Sequence, residues 1–343
     1  MQTTKASALY AGADLHGNNV FLSLCDEEGN NVFRRRVKAS LSAVNAALDP
    51  FWNRIKVLGV ESTFNWYWFV DGLREQGRNV KLGNPAKMEQ YKGIKITNDL
   101  TDADWLAEQL RVGIFPECYI YPKETRPVRD ALRRRQLFVR RRTQVNLSFG
   151  GLLERYGLDA PGARKLEKWT IEDIKATGLD GFVQLQLETL LDALRESDRL
   201  AQKIEKQVLA FTSPTEQYRR ATSLPGIGVA LGMLIVLESG DFKRFKSAGN
   251  YASYCRGVPS QRSSNGKAKG KNNAKNGNPY LAWAFIEAAT FAARFNPCIH
   301  AWYERKKAKS GVAKAKKALA CKLAKAMWHV MNGEDFDEKL MFG

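Results

Sequence analysis

The chain is poor in the residues from which soft-metal and disulfide sites are built. Its three histidines, His16, His300 and His329, are widely dispersed, and its five cysteines, Cys25, Cys118, Cys255, Cys298 and Cys321, include no CxxC pair. An odd, scattered set of cysteines excludes a disulfide framework, and neither residue type has zinc-site spacing. No Walker motif is present, and no apolar run approaches the ~20 residues that cross a bilayer. With no signal peptide at the start, the expectation is a soluble protein of a reducing compartment. Acid is also scarce. There are 36 Asp and Glu against 54 Lys and Arg, a formal net charge of +18. Such an excess points to an extended polyanion as partner. Neither terminus carries a lipidation signal or a basic amphipathic anchor, so nucleic acid is favoured over an acidic membrane surface.

At 343 residues the chain has material for two or three domains with real cores. From Leu9 to about Phe115 its pattern is mixed α/β. The runs LYAGAD, NVFLSLCD and NVFRRRVKA, separated by HGN and EEGN turns, predict three strands joined as hairpins. A helix (SAVNAALDPFWNRI), a strand (KVLGVES), a helix (FNWYWFVDGLREQG), a strand (NVKLGNP) and a helix entered near Asp99 follow. The order βββαβαβα is the plan of the ribonuclease H-like fold, an analogy that assigns no function by itself.

Within this basic chain, ITNDLTDADWLAEQL (96–110) concentrates Asp99, Asp102 and Asp104 in six positions. Acids in a first helical turn favour the helix dipole, which accounts for one or two of them. Asp99 and Asp102, spaced i and i+3, share a helical face. Asp14 closes the first strand and Glu61 the fourth; if those strands are neighbours, both carboxylates emerge at one sheet edge. Four carboxylates gathered there would repel unless a divalent cation joined them, and an all-oxygen set with room for phosphate suits Mg²⁺. Asp104 is expected to turn away from Asp102 and be solvated. Asp26 and Glu27 read as turn residues.

From about Pro116 to Thr215 long helices are expected. KETRPVRDALRRRQLFVRRR carries nine basic residues, among them Arg133, Arg134, Arg135, Arg140, Arg141 and Arg142, a density better explained by phosphates than by a solvated face. Leu187, Leu190, Leu194, Ala201, Ile204, Val208 and Phe211 recur at threes, fours and sevens, the pattern of an antiparallel or intermolecular coiled coil. Between these helices, YGLDAPGARKLEKWTIEDIKATGLDG reads as a connecting loop.

In the last region, LPGIG between two helices resembles the turn of a helix-hairpin-helix, in which Gly226 and Gly228 would bring backbone N–H groups to a DNA phosphate. Glycines between packed helices also serve close contact alone. Arg262, Lys267, Lys269, Lys271 and Lys275 then occur without an acid amid glycine, asparagine and serine, in a segment suited to order against phosphate. From Arg305 to Lys325 there are nine basic residues, including Lys314, Lys316 and Lys317, and no acid. An apolar stripe of Val312, Ala315, Leu319, Leu323, Met327 and Val330 accompanies them.

Taken in order, GADLHGNN, VLGVEST, KITNDLTDADWLAEQL, SLPGIG and RGVPSQRSSNGKAKGKNNAKNGNPYL resemble the insertion-sequence 110 family of transposases, the DEDD recombinases guided by a bridge RNA. The resemblance implies a RuvC-like domain over 1–115 with Asp14, Glu61, Asp99 and Asp102 as its catalytic, metal-holding acids. It implies a coiled-coil region over 116–215, and a C-terminal transposase domain over 216–343 that supplies a serine nucleophile. Ser264 is the best match for that serine. Asn265 intervenes before Gly266, where the family has glycine directly after the serine, so Ser263 and, more distantly, Ser260 remain alternatives. The further implications are Mg²⁺ or Mn²⁺ as cofactor, a guide RNA, donor and target double-stranded DNA, a homo-oligomer (dimer or tetramer), and a place at the nucleoid in a prokaryotic cytoplasm. Two other readings use the same residues: a RuvC-like nuclease or junction resolvase with water as nucleophile, and a non-catalytic nucleic-acid scaffold.

Overall fold

The computed structural model describes residues 7–88, 102–162, 166–258, 261–264, 267–271 and 276–342, with backbone alone given for 261–264 and 267–271. Two compact units result, one of Met1–Lys123 with Arg262–Asn276, the other of Glu124–Gln261 with Gly277–Gly343.

The first unit is built on a five-stranded sheet. Strands β1 (Leu9–Leu15), β2 (Asn19–Cys25) and β3 (Asn31–Lys38) form an antiparallel meander. Helix α1 (Leu41–Leu48) leads into β4 (Ile55–Glu61), α2 (Tyr67–Glu75) into β5 (Val80–Gly83), and the short α3 (Pro85–Met88) follows. The sheet order is β3-β2-β1-β4-β5, with β4 parallel to both β1 and β5. The order and kinds of element match the expectation. Helix α1 is shorter than its periodicity suggests because Pro50 ends it in a 3₁₀ turn, Asp49–Phe51. One sheet face packs on α1 and α2 through Leu22, Leu24, Leu58, Val60, Val44, Leu48 and Phe69. The other receives α4 (Asp102–Arg111).

The second unit is helical. Helices α5 (Arg126–Arg155) and α7 (Gly181–Thr212) pack along one another, joined through α6 (Ile171–Ala176), whose N-terminus Thr170 and Asp173 close with a capping box. They run antiparallel, since Arg142 meets Asp198 and Arg135 meets Glu205. The buried seam of α7 is Val183, Leu187, Leu191, Leu194, Ala201 and Val208. Three expected members are not in it: Leu190 and Ile204 are half-buried at its margin, and Phe211 is exposed. Then come α8 (Glu216–Thr222), α9 (Val229–Ser239) and α10 (Ala248–Tyr254). After them the chain returns to the first unit for the paired strands β6 (Gln261–Ser264) and β7 (Lys267–Lys271), all but Gln261 of which belong to it. The chain closes with α11 (Pro279–Phe295), α12 (Pro297–Ser310), α13 (Val312–Met331) and α14 (Glu338–Phe342). The stripe of α13 is buried from Ala315 to Val330 as expected, but Val312, in its first turn, is exposed.

Candidate active site

In the parallel pairing of β1 and β4, Gly12 stands opposite Gly59 and Ala13 opposite Val60. Asp14 and Glu61 therefore stand at one level of the sheet, and alternation puts both on the face of Gly12 and Gly59. That is the face that carries α4. A Cβ at Gly12 would lie 1.9 Å from the carbonyl oxygen of Ala103, and one at Gly59 2.8 Å from the Leu110 side chain. Only glycine at 12 lets the first turn of α4 rest on β1. Asp102 opens that turn, where the dipole favours a carboxylate. Asp14, Glu61 and Asp102 are thus brought to one end of one sheet face; Asp99 lies outside the described residues.

The Nε2 of His16 is 3.0 Å from Oδ2 of Asp14. No metal-ligand spacing to the other two histidines marks it in the sequence; the signal for it is its place two residues after Asp14. Among the described residues no three carboxylate, imidazole or thiol groups form a ready cage for a cation. The donor chemistry of Asp14, Glu61 and Asp102, hard oxygens at one sheet edge, nevertheless fits Mg²⁺.

Asp104 is not solvated. It is buried against the sheet, with Oδ1 accepting from Ser23 Oγ at 2.5 Å, Arg34 Nε at 2.8 Å and Asn31 Nδ2 at 3.3 Å. Its turn away from Asp102 is real, but it points onto β2 and β3 and not into water. Beside it lies a pocket of about 400 Å³ lined in part by Cys25, Trp105, Glu108 and Arg111. Arg111 grips Glu108 through two hydrogen bonds of 2.7 and 2.6 Å and donates to the carbonyl of Glu27, so the far end of α4 holds the β2–β3 turn. In that turn Asp26 accepts from the backbone N–H groups of Glu28 and Asn30, the turn chemistry expected of it. Burial, then the charge of Glu108, pushes the Cys25 thiol up to about 11, which leaves it protonated and unreactive near neutrality.

The arginine-dense helix divides in two. Arg133 pairs with the fully buried Glu238, which also accepts from Asn278; Arg135 pairs with Glu205, and Arg142 with Asp198. These three are structural, contrary to the expectation of unpaired arginines: their carboxylates come from elements distant in sequence, so the local charge run conceals them. Arg134, Arg140 and Arg141 are exposed, as are Lys314 and Lys317, while Lys316 is half-buried. At Gly226 the backbone has φ +80°, and a Cβ would lie 2.2 Å from the carbonyl oxygen of Ala288, so this glycine is required for packing on α11. Gly228 is exposed at the start of α9, and a Cβ there would meet no atom within 4 Å. Ser263 and Ser264 end β6, and Lys267, Lys269 and Lys271 belong to β7. Their side chains and that of Arg262, together with Ser260 and Lys275, lie outside the described residues.

Residues 11–157 match the transposase family of DEDD enzymes from IS110 elements, and residues 218–304 match the family described as "Transposase IS116/IS110/IS902 family". The chain is 25% identical over 322 residues to a probable family 20 transposase of Pseudomonas aeruginosa, covering 90% of this chain and 92% of the relative. It is 26% identical over 333 residues to the transposase for insertion sequence element IS1111A of Coxiella burnetii, covering 94% and 90%. Two family regions in chain order, and relatives aligned over nearly their whole length, bear out the resemblance. The chain belongs to the IS110 family of transposases.

Proposed function

We propose that this transposase is an RNA-guided DNA recombinase that exchanges strands through a covalent serine–DNA intermediate. The observation that carries the reading is the register of β1 and β4, which levels Asp14 with Glu61 two residues beyond Gly12 and Gly59, the glycines on which α4 rests. Asp14, Glu61, Asp99 and Asp102 would hold Mg²⁺ or Mn²⁺, which when bound offsets charge on a phosphate and its leaving oxygen. The Ser264 Oγ attacks the scissile phosphorus, one deoxyribose oxygen leaves with the proton that serine gives up, and a phosphodiester to serine replaces the broken bond. A second attack by a deoxyribose hydroxyl releases the serine, so bond energy is conserved and no ATP is consumed. Basic residues of β7 offset charge on the phosphorane-like transition state. The guide RNA, a dimer or tetramer as the working unit, and the nucleoid as its place rest on the family resemblance and the net charge of +18.

The test is a denaturing gel of labelled donor DNA with the protein, the RNA that copurifies with it and Mg²⁺. The parent is expected to leave a protein–DNA adduct, Ser264→Ala none, and Asp14→Ala, Glu61→Ala or Asp102→Ala neither adduct nor cleavage. An adduct retained by Ser264→Ala and lost by Ser263→Ala moves the nucleophile by one residue. Cleavage without an adduct from either variant or the parent would establish the water-using nuclease instead.

A further inference from the structure

The edge strand β3 carries Arg34, Arg35, Arg36 and Lys38. Side chains alternate along a strand, and packing fixes which face each takes. Arg34 bonds Asp104 on α4, so Arg36 and Lys38 share the α4 face. Arg35 alternates with them, on the face where Phe33 and Val37 pack into the core. Arg35, Arg36 and Lys38 are exposed, and none has an acidic partner among the described residues.

Register extends this face across the sheet. Arg36 stands opposite Phe21, Phe21 opposite Asp14, and Asp14 level with Glu61. The four are consecutive on neighbouring strands, beyond the first turn of α4. At about 4.8 Å per strand, Arg36 is roughly 10 Å from Asp14. Phe21 is half-buried and takes no part in the core, to which β2 contributes Val20, Leu22 and Leu24.

We infer that this row is the docking track for the DNA strand delivered to the carboxylates, with Arg36 and Lys38 on backbone phosphates and Phe21 under a base. Carboxylates repel phosphate, so a strand reaching Asp14 and Glu61 needs cations close by. Basic side chains beside a half-buried ring that the core does not take up are the chemistry of single-strand binding. The occupant is DNA because the row ends on the acids proposed to act on DNA, and the inference rests on that reading. The competing explanation is that charges on an edge strand merely discourage sheet-to-sheet pairing, in which case Arg35 and Arg36 would be equivalent.

That equivalence is what the test examines. The full chain, in EDTA so that cleavage plays no part, is irradiated with single-stranded DNA containing 5-iododeoxyuridine, and the attachment site is mapped by peptide mass spectrometry. Attachment at Phe21 is expected. Phe21→Leu, which keeps apolar bulk without a ring, should lose it. Arg36→Glu and Lys38→Glu should each lower the yield about five-fold or more, while Arg35→Glu leaves it within about two-fold. Attachment only elsewhere, an equal loss from Arg35→Glu, or better labelling by RNA of the same sequence would overturn the inference. Because the readout needs no cleavage, it is separate from the adduct gel: an adduct without labelling at Phe21 sinks this inference alone.

Discussion

Asp102 and Asp104 show how little separates two roles on one helix. The first opens α4 beside the sheet edge; the second is buried and bound by Ser23, Asn31 and Arg34. Asp104 therefore acts on the site through position, by fixing how α4 sits over Gly12. Removing it leaves the buried Ser23 hydroxyl without its acceptor, while Arg34, which is partly exposed, recovers water. Asp104→Ala should cost about 1–3 kcal/mol in urea unfolding and should reduce cleavage. Asp104→Asn keeps an acceptor oxygen and should restore much of both. This reverses the mild effect that solvation would imply. A parent-like unfolding midpoint for Asp104→Ala would mean that the network contributes nothing. None of this is visible in DLTDADW itself, because the partners lie on β2 and β3, far away in sequence.

Among the elements, those with a period of their own are legible in the sequence. Alternation and glycine turns mark β1 to β3, and the continuous apolar run of β4 fits a central strand buried on both faces. These marks, with the ribonuclease H-like plan that their order matches, carry the expectation that Asp14 and Glu61 share an edge if β1 and β4 are neighbours. The register makes them so: Gly12 stands opposite Gly59 and Ala13 opposite Val60. What stays hidden is the contact between elements: glycines such as Gly12 and Gly226 are identical in sequence to glycines that only turn the chain. The LPGIG turn makes this testable. Gly226 has φ +80° and lies against the α11 backbone, whereas a Cβ at Gly228 meets nothing within 4 Å. Gly226→Ala should destabilise by about 2–6 kcal/mol, combining backbone strain with overpacking. Gly228→Ala should hold its melting temperature and, if the turn serves DNA, weaken duplex binding. Equal melting temperatures for the two variants would count against the packing role of Gly226.

For the whole molecule, a net charge of +18 states that phosphate is the partner but not which cations meet it. Pairing within the fold divides them. Arg133, Arg135 and Arg142 are held by Glu238, Glu205 and Asp198, and the Glu238 carboxylate is fully buried. Taking Arg133 away removes that cation from a buried carboxylate, which keeps its bond from Asn278, a loss of about 3–5 kcal/mol for a broken buried pair. Arg134, Arg140 and Arg141 are exposed on the same helix. Neutralising the exposed three should leave the melting temperature nearly unchanged, since surface changes fall within about 0.5 kcal/mol each. It should also flatten the dependence of log affinity for duplex DNA on log salt by about 0.9 for each phosphate no longer neutralised. Arg133→Ala should do the opposite, lowering the melting temperature and sparing the slope. Fluorescence anisotropy across a salt series, paired with thermal unfolding of each variant, separates the two sets. Should Arg133→Ala change the slope as much as a member of the exposed set, the buried pair is not what holds that arginine, and the charge run acts on nucleic acid as one surface.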